Sequence, residues 1–267
     1  LMLAMIFMMW PRAQISARRI NEVLDCEISV DDGAGNVHPT EVGTVEFKNV
    51  SFKYPDADEY LLRNISFKVN KGETIAFIGS TGSGKSSLIN LVPRFYDATD
   101  GEVLVDGVNV KDYALEDLHN KLGYVPQKAV MFTGSVKENV AYGTKNGKKP
   151  TTKKVEEAIE IAQASDFVLK MEDGINSHIA RGGTNVSGGQ KQRLAIARSI
   201  ARDPEIYIFD DSFSALDYKT DAVLREELKK YMKDATSLIV AQRIGTIMNA
   251  DKIIVLDNGT SVGVGTH

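Results

Sequence analysis

The sequence predicts an α/β fold centred on a strand, a glycine loop and a helix, with an antiparallel β part before them and a helical part after. Three observations carry that reading. Thr74-Ile75-Ala76-Phe77-Ile78 is a short apolar run of buried-strand type. Gly79-Ser80-Thr81-Gly82-Ser83-Gly84-Lys85-Ser86 fits the phosphate-loop pattern G-x-x-x-x-G-K-[ST], and Leu88, Ile89, Leu91 and Val92 then recur at helical spacing. The glycines let successive backbone N–H groups turn toward one anion, Lys85 adds a point charge for terminal phosphates, and the Ser86 hydroxyl is placed to ligate Mg²⁺. With Ser87, these residues form the expected contact set for a nucleoside triphosphate.

At 267 residues, 43% apolar and 25% charged, the chain can bury a sizeable core as one large domain or two modest ones. A net charge of -4 gives no general attraction to nucleic acid, and no such partner is expected. Cys26 is the only cysteine, which excludes an internal disulfide and a multi-cysteine zinc site and fits a reducing compartment. His38, His119, His178 and His267 show no ligand spacing.

Residues 1–25 begin as an unbroken apolar run through Trp10, followed by Arg12, Arg18 and Arg19. A membrane span needs about 20 residues, so the run reads as the end of a transmembrane helix. Ala13, Ala17, Ile20 and Leu24 continue it past Pro11 into the cytosol. From Cys26 to Gly43 periodicity is lost and turn residues accumulate, which reads as a linker over 26–43 before a compact domain over 44–267.

Val45, Phe47, Val50, Phe52 and Tyr54, then Ile65, Phe67 and Val69, mark two strands expected to pair antiparallel. Tyr54 ends the first, where its ring could stack on a base or simply pack on the core. Glu102-Val103-Leu104-Val105 and Leu122-Gly123-Tyr124-Val125 are further strands. Gln127 follows the second, its amide either reaching a metal or phosphate water or serving as loop polarity. Lys145, Lys148, Lys149, Lys153 and Lys154 have no interleaved aromatics and read as a solvated stretch. Val155, Ile159, Ala162 and Leu169 mark one helix face, opening a mainly helical part over about 150–201.

Ser187 and Gln190 have capping-box spacing, which leaves Gly188 and Gly189 at an open helix N-terminus. Ser187 is thus an anion contact or merely a cap. Ile206-Tyr207-Ile208-Phe209 delivers Asp210 and Asp211 at a strand's carboxyl end. There Asp210 is a candidate Mg²⁺ partner or the start of an acidic loop. Ser237 to Ala241 is another buried strand ending in a polar Gln242, and Ile253 to Leu256 with the Asn258-Gly259 turn predicts a closing hairpin.

In this order, the phosphate loop, Gln127, Val186-Ser187-Gly188-Gly189-Gln190, Asp210-Asp211 and Ser214-Ala215-Leu216-Asp217 resemble the nucleotide-binding domain of an ABC transporter. The similarity runs from about residue 43 to the end. Phe132 to Val140 and the apolar start resemble its exporter branch. The resemblance implies a P-loop NTPase core with an antiparallel β subdomain and a helical signature subdomain, using ATP and Mg²⁺. It implies a membrane domain on the same polypeptide, placement on the cytoplasmic side of the cell membrane, and a head-to-tail partner half-transporter. By the same resemblance Tyr54 stacks the adenine, Gln127 is the sensor facing the membrane domain, Ser187 to Gln190 cover the partner's nucleotide, and Asp217 is a contact across the dimer.

Three positions depart from the family's pattern. Asp211 stands where a glutamate orients the attacking water, Gln242 where a histidine contacts the γ-phosphate, and Arg181 where a glutamate precedes the signature. One methylene less reach and one cation fewer weaken the same catalytic site, so the chain resembles the degenerate half of a bacterial heterodimeric, multidrug-type exporter. A regulatory module that binds ATP with negligible hydrolysis is the alternative. A chromosome-maintenance ATPase would carry long heptads between Lys85 and Ser187, and none is present.

Overall fold

The computed structural model describes residues 2–267; Leu1, the first residue of the expected apolar run, lies outside them. Residues up to Asp31 form one compact unit and Asp32–His267 a second. In the first, helix α1 (Met2–Leu24) runs on through Pro11. Phe7, Met8, Met9 and Trp10 on it are all exposed. No helix among the described residues is long and apolar enough to cross a membrane. The stretch read as a linker is divided. Its part from Asp32 packs with the larger unit, where the Leu115 N–H donates to Asp32 Oδ1 (2.7 Å) and the Gly35 N–H to Asp112 O (3.2 Å).

The larger unit opens with β1 (Val45–Phe52) and β2 (Leu62–Val69), paired antiparallel with Phe47 stacked on Phe67 at 4.5 Å. The three-residue step from Phe47 to Val50 interrupts the alternation. There the register slips and Asn49 takes a left-handed φ of 50°. Next come β3 (Thr74–Gly79), α2 (Lys85–Asn90), β4 (Asp100–Val105), β5 (Val108–Asn109), α3 (Leu115–Lys121) and β6 (Leu122–Val125). Strands β2, β1, β4 and β5 form one antiparallel sheet in that order. Its inner face, with α2 and one face of the central sheet, makes a core including Val45, Phe52, Ile65, Phe77 and Leu88.

The remaining elements are β7 (Gly134–Ser135), α4 (Val136–Val140), α5 (Thr152–Ile161), α6 (Ser165–Val168), β8 (His178–Ile179), α7 (Gly188–Ala201) and β9 (Ile206–Asp210). After them come α8 (Tyr218–Tyr231), β10 (Thr236–Val240), α9 (Ile244–Ile247), β11 (Lys252–Asp257) and β12 (Thr260–Gly265). Within 150–201, Val155, Ile159 and Ala162 are buried as their spacing requires. Leu169 is not: it is 77% exposed. Gln163, at φ 54°, ends α5, so Leu169 follows a separate short helix in a different direction.

The central sheet has the order β12-β11-β3-β10-β9-β6, and all neighbours are parallel except the β11–β12 hairpin. Parallel strands leave their carboxyl ends on one edge, so β3, β6, β9 and β10 deliver Gly79, Gln127, Asp210 with Asp211, and Gln242 to a common place.

Candidate functional site

That edge carries a cleft of about 620 Å³ lined by the phosphate loop, Leu61, Gln127, Asp211 and Gln242. The loop enters α2 through Gly84 at φ 93°, where a Cβ would stand 2.6 Å from Leu62 Cδ2. Only glycine meets both conditions. Lys85 is 9% exposed, and its Nζ donates to Gly79 O (2.9 Å), Ser80 O (2.7 Å) and Ser83 Oγ (3.2 Å). Burial lowers its pKa, against the opposing pull of Asp211 and Asp210.

The next two serines on α2 are held by different parts of the fold. Ser86 Oγ donates to Asp210 Oδ1 at 2.7 Å, while Ser87 Oγ and Tyr54 OH share a hydrogen bond of 2.8 Å. Burial raises the Asp210 pKa and Asp211 adds to it, while hydrogen bonds from Ser86 and Tyr124 and the charge of Lys85 pull the other way. Among the described residues no three His, Cys, Asp or Glu side chains gather as a metal cage. A small hard cation of the Mg²⁺ kind needs only one or two protein oxygens beside phosphate oxygens and water, and the Ser86–Asp210 pair fits that requirement.

Asp211 is 7% exposed and holds a left-handed φ of 45°, a region aspartate tolerates better than most residues, with its N–H on Val240 O (3.0 Å). Its Oδ2 accepts from both flanking amides, Gln242 Nε2 at 2.9 Å and Gln127 Nε2 at 3.3 Å. The ends of β6, β9 and β10 are thus drawn together on one carboxylate oxygen.

Tyr54 lies beside the cleft, reaching it through Ser87, with its ring edge-on to Phe52 (4.9 Å) and Tyr96 (5.1 Å). Ser187 and Gln190 form the capping box at the start of α7: the Gln190 N–H donates to Ser187 Oγ (3.3 Å) and the Ser187 N–H to Gln190 Oε1 (2.8 Å). Gly188 and Gly189 occupy the first turn. None of these four residues lines this chain's own cleft. Asp217 caps α8 through the Thr220 N–H (3.0 Å). Several site residues were not foreseen from the sequence, Leu61, Arg243 and Tyr124 among them. Leu61 and Arg243 line the cleft, and Tyr124 donates to Asn90 Oδ1 (2.8 Å) and Asp210 Oδ2 (3.4 Å). A tyrosine inside an otherwise apolar strand was the available signal for Tyr124.

Residues 62–214 match the family model described as ABC transporter. An uncharacterized ABC transporter ATP-binding protein of Mycobacterium tuberculosis is 45% identical over 269 residues, covering all of this chain and 46% of the relative. A Staphylococcus aureus protein provisionally named a multidrug export ATP-binding/permease protein is 42% identical over 248 residues, covering 92% of this chain and 42% of its own length. The chain therefore spans a little under half the length of the curated relatives it matches. Among solved structures, a bacterial Atm1-family ABC exporter with ATP bound superimposes with a TM-score of 0.90 at 32% identity, over all of this chain and 46% of the other. The matched residues include the phosphate loop, Gln127, the Ser187–Gln190 cap and both aspartates, and on that ground the chain belongs to the ABC transporter family, with the fold of its nucleotide-binding domain.

Proposed function

We propose that the chain is the ATP-binding and ATP-hydrolysing motor domain of an exporter, and that its own site is the degenerate one of a heterodimeric pair. The binding half of this reading rests on the buried Lys85 beside the Ser86–Asp210 pair in one cleft. Lys85 exchanges its loop carbonyls for β- and γ-phosphate oxygens, and the loop N–H groups bind the remaining phosphate charge. Ser86 and Asp210 hold Mg²⁺, which when bound neutralises phosphate charge. Tyr54, at the Ser87 side of α2, faces the adenine.

Hydrolysis adds water to the γ-phosphorus while the bond to the β,γ-bridging oxygen breaks, giving ADP and phosphate. A residue in this chain must orient that water and take up its proton. The single observation that carries the degenerate reading is the amide pair on Asp211: Gln127 and Gln242 both hold one oxygen, Oδ2, of its short carboxylate. A base must lie within about 3 Å of the proton it takes, and a misplacement of about 1 Å costs on the order of 100-fold. Gln242 donates a hydrogen bond without a positive charge, so charge developing on the γ-phosphate is met weakly.

The Ser187–Gln190 helix start serves a different ATP, the one bound by a second, catalytically competent half-transporter chain packed head to tail. It supports this that Ser187 to Gln190 do not line the chain's own cleft. Closure would bring the α7 N-terminus onto the partner's γ-phosphate and couple assembly to chemistry. The membrane part of the same polypeptide would then move an export substrate from the cytoplasmic side of the cell membrane. Single-turnover hydrolysis of Mg-ATP by this chain tests the reading. Tight binding with slow turnover supports it, and turnover at the rate of the competent partner counts against it.

A further inference from the structure

The end of the β11–β12 hairpin touches the cleft at two points, one from β11 and one from the turn, although it contributes no side chain to it. Asn258 and Gly259 occupy the left-handed region at φ 45° and 75°, as a tight hairpin requires. A Cβ on Gly259 would stand 1.9 Å from Leu61 O, so the turn and the backbone at Leu61 are in direct contact. The Arg63 N–H donates to Gly259 O at 2.8 Å, which fixes that contact from the other side. Before the turn, at the end of β11, Leu256 pairs with Gly79 of β3, and its carbonyl oxygen lies 2.1 Å from where a Cβ on Gly79 would stand. One hairpin end therefore abuts both the first residue of the phosphate loop and a wall of the cleft.

Leu61 belongs to the side of the cleft away from the acidic pair. Its N–H donates to Phe52 O (2.8 Å), at the end of β1 and just before Tyr54, which lies beyond the strand, and its neighbour Leu62 packs on Gly84. Ser86 faces Asp210 while Ser87 faces Tyr54, so the first turn of α2 divides a phosphate end from a nucleoside end, and Leu61 stands at the second. We propose that the Asn258–Gly259 turn closing the β11–β12 hairpin is a strut that holds Leu61 against the nucleoside part of the bound nucleotide, with Gly259 as a positioning residue for it. The inference rests on the reading that this cleft takes ATP.

Gly259→Ala drives a methyl group into Leu61 O and must displace the wall or the turn. Asn258→Ala loosens the same turn with no steric conflict at Leu61, and Leu61→Ala removes the wall and leaves the turn intact. Gly107→Ala is the control. It strains another left-handed turn, at φ 78°, where the nearest atom to its Cβ is Thr40 Oγ1. Calorimetric titration of each protein with Mg-ATP and with inorganic tripolyphosphate separates the two ends of the cleft.

Gly259→Ala and Leu61→Ala are expected to weaken Mg-ATP on the order of tenfold, with tripolyphosphate affinity unchanged in both and Gly107→Ala like the parent. If Gly259→Ala gives no cooperative melting transition, Asn258→Ala takes its place, with a smaller loss of the same kind. Unchanged ATP affinity in the turn variants overturns the strut. Equal losses for ATP and tripolyphosphate overturn the assignment to the nucleoside end. A parent protein that binds neither ligand refutes the nucleotide reading itself, a result distinct from both.

Discussion

Gly188→Asp separates folding from function, because its effects on the two have opposite signs. Gly188 is exposed in the first turn of α7, and a Cβ there meets nothing within 4 Å. Within this chain the change is harmless or better. Aspartate has a slightly higher helix propensity than glycine, and its charge lies at the positive end of the helix, for a combined gain of about 1 kcal/mol and a Tm rise of roughly 2–4 °C. In the proposed head-to-tail pair the same carboxylate would repel the partner's nucleotide. One unit charge about 4 Å from a phosphate charge, at an effective dielectric constant of about 20, costs on the order of 4 kcal/mol, or about 1,000-fold in affinity for the closed state. The assays are thermal melting of this chain and steady-state ATPase of the full heterodimer. Melting at or above the parent with turnover abolished is the expected pair of results. Wild-type turnover would refute the assignment of α7 to the partner's nucleotide, and a melting point several degrees lower would refute the account of the helix start.

Other perturbations test other parts. Lys85→Ala removes three donors and a buried charge from the loop, and the loss of two charge-assisted phosphate bonds at about 1.5–3 kcal/mol each should raise the Kd for Mg-ATP by about 100-fold or more. Unchanged binding by calorimetry would remove the site assignment. Asp211→Asn should lower heterodimer turnover only modestly, because an amide oxygen still accepts from Gln127 and Gln242; a lethal effect would make Asp211 a true base. In the capping box of α4, the Ser135 N–H and hydroxyl hold the Glu138 carboxyl below its ordinary range. A lowered folded pKa gives stability that is present above the unfolded value and lost as pH falls through the folded one. The Tm advantage of the parent over Glu138→Gln should therefore shrink below about pH 4.5. A constant difference down to about pH 3 would contradict it.

The parts of the fold that depend on neighbours in sequence were legible there. The strand before the phosphate loop, the Ser187–Gln190 cap and the Asn258-Gly259 hairpin are each specified within a few residues, and each stands where its residues placed it. Where the sequence reading went astray, a short-range signal was absent. Nothing in the apolar spacing shows that Gln163 turns left-handed and sends Leu169 to the surface. The two-residue pair β7–β8 is too short for any periodicity to mark it. The site divides in the same way. Lys85, Ser86 and Asp210 follow from motif and strand order, whereas the meeting of Gln127 and Gln242 on one oxygen of Asp211 depends on three strands lying side by side. Leu61 carries no motif. Its place follows from its N–H bond to Phe52 O and from its contact with a turn almost 200 residues later in the chain.

The central claim, a site that holds ATP but turns it over poorly, is tested most directly by restoring what it lacks. Single-turnover hydrolysis of Mg-ATP is measured for the parent and for Asp211→Glu combined with Gln242→His, at concentrations where ATP-dependent dimers are shown to exist. The added methylene extends the carboxylate toward the water, and the imidazole brings a group that can carry charge to the γ-phosphate. Slow turnover by the parent and a gain of about tenfold or more in the double variant is the predicted result. A parent that hydrolyses as fast as the double variant would contradict it.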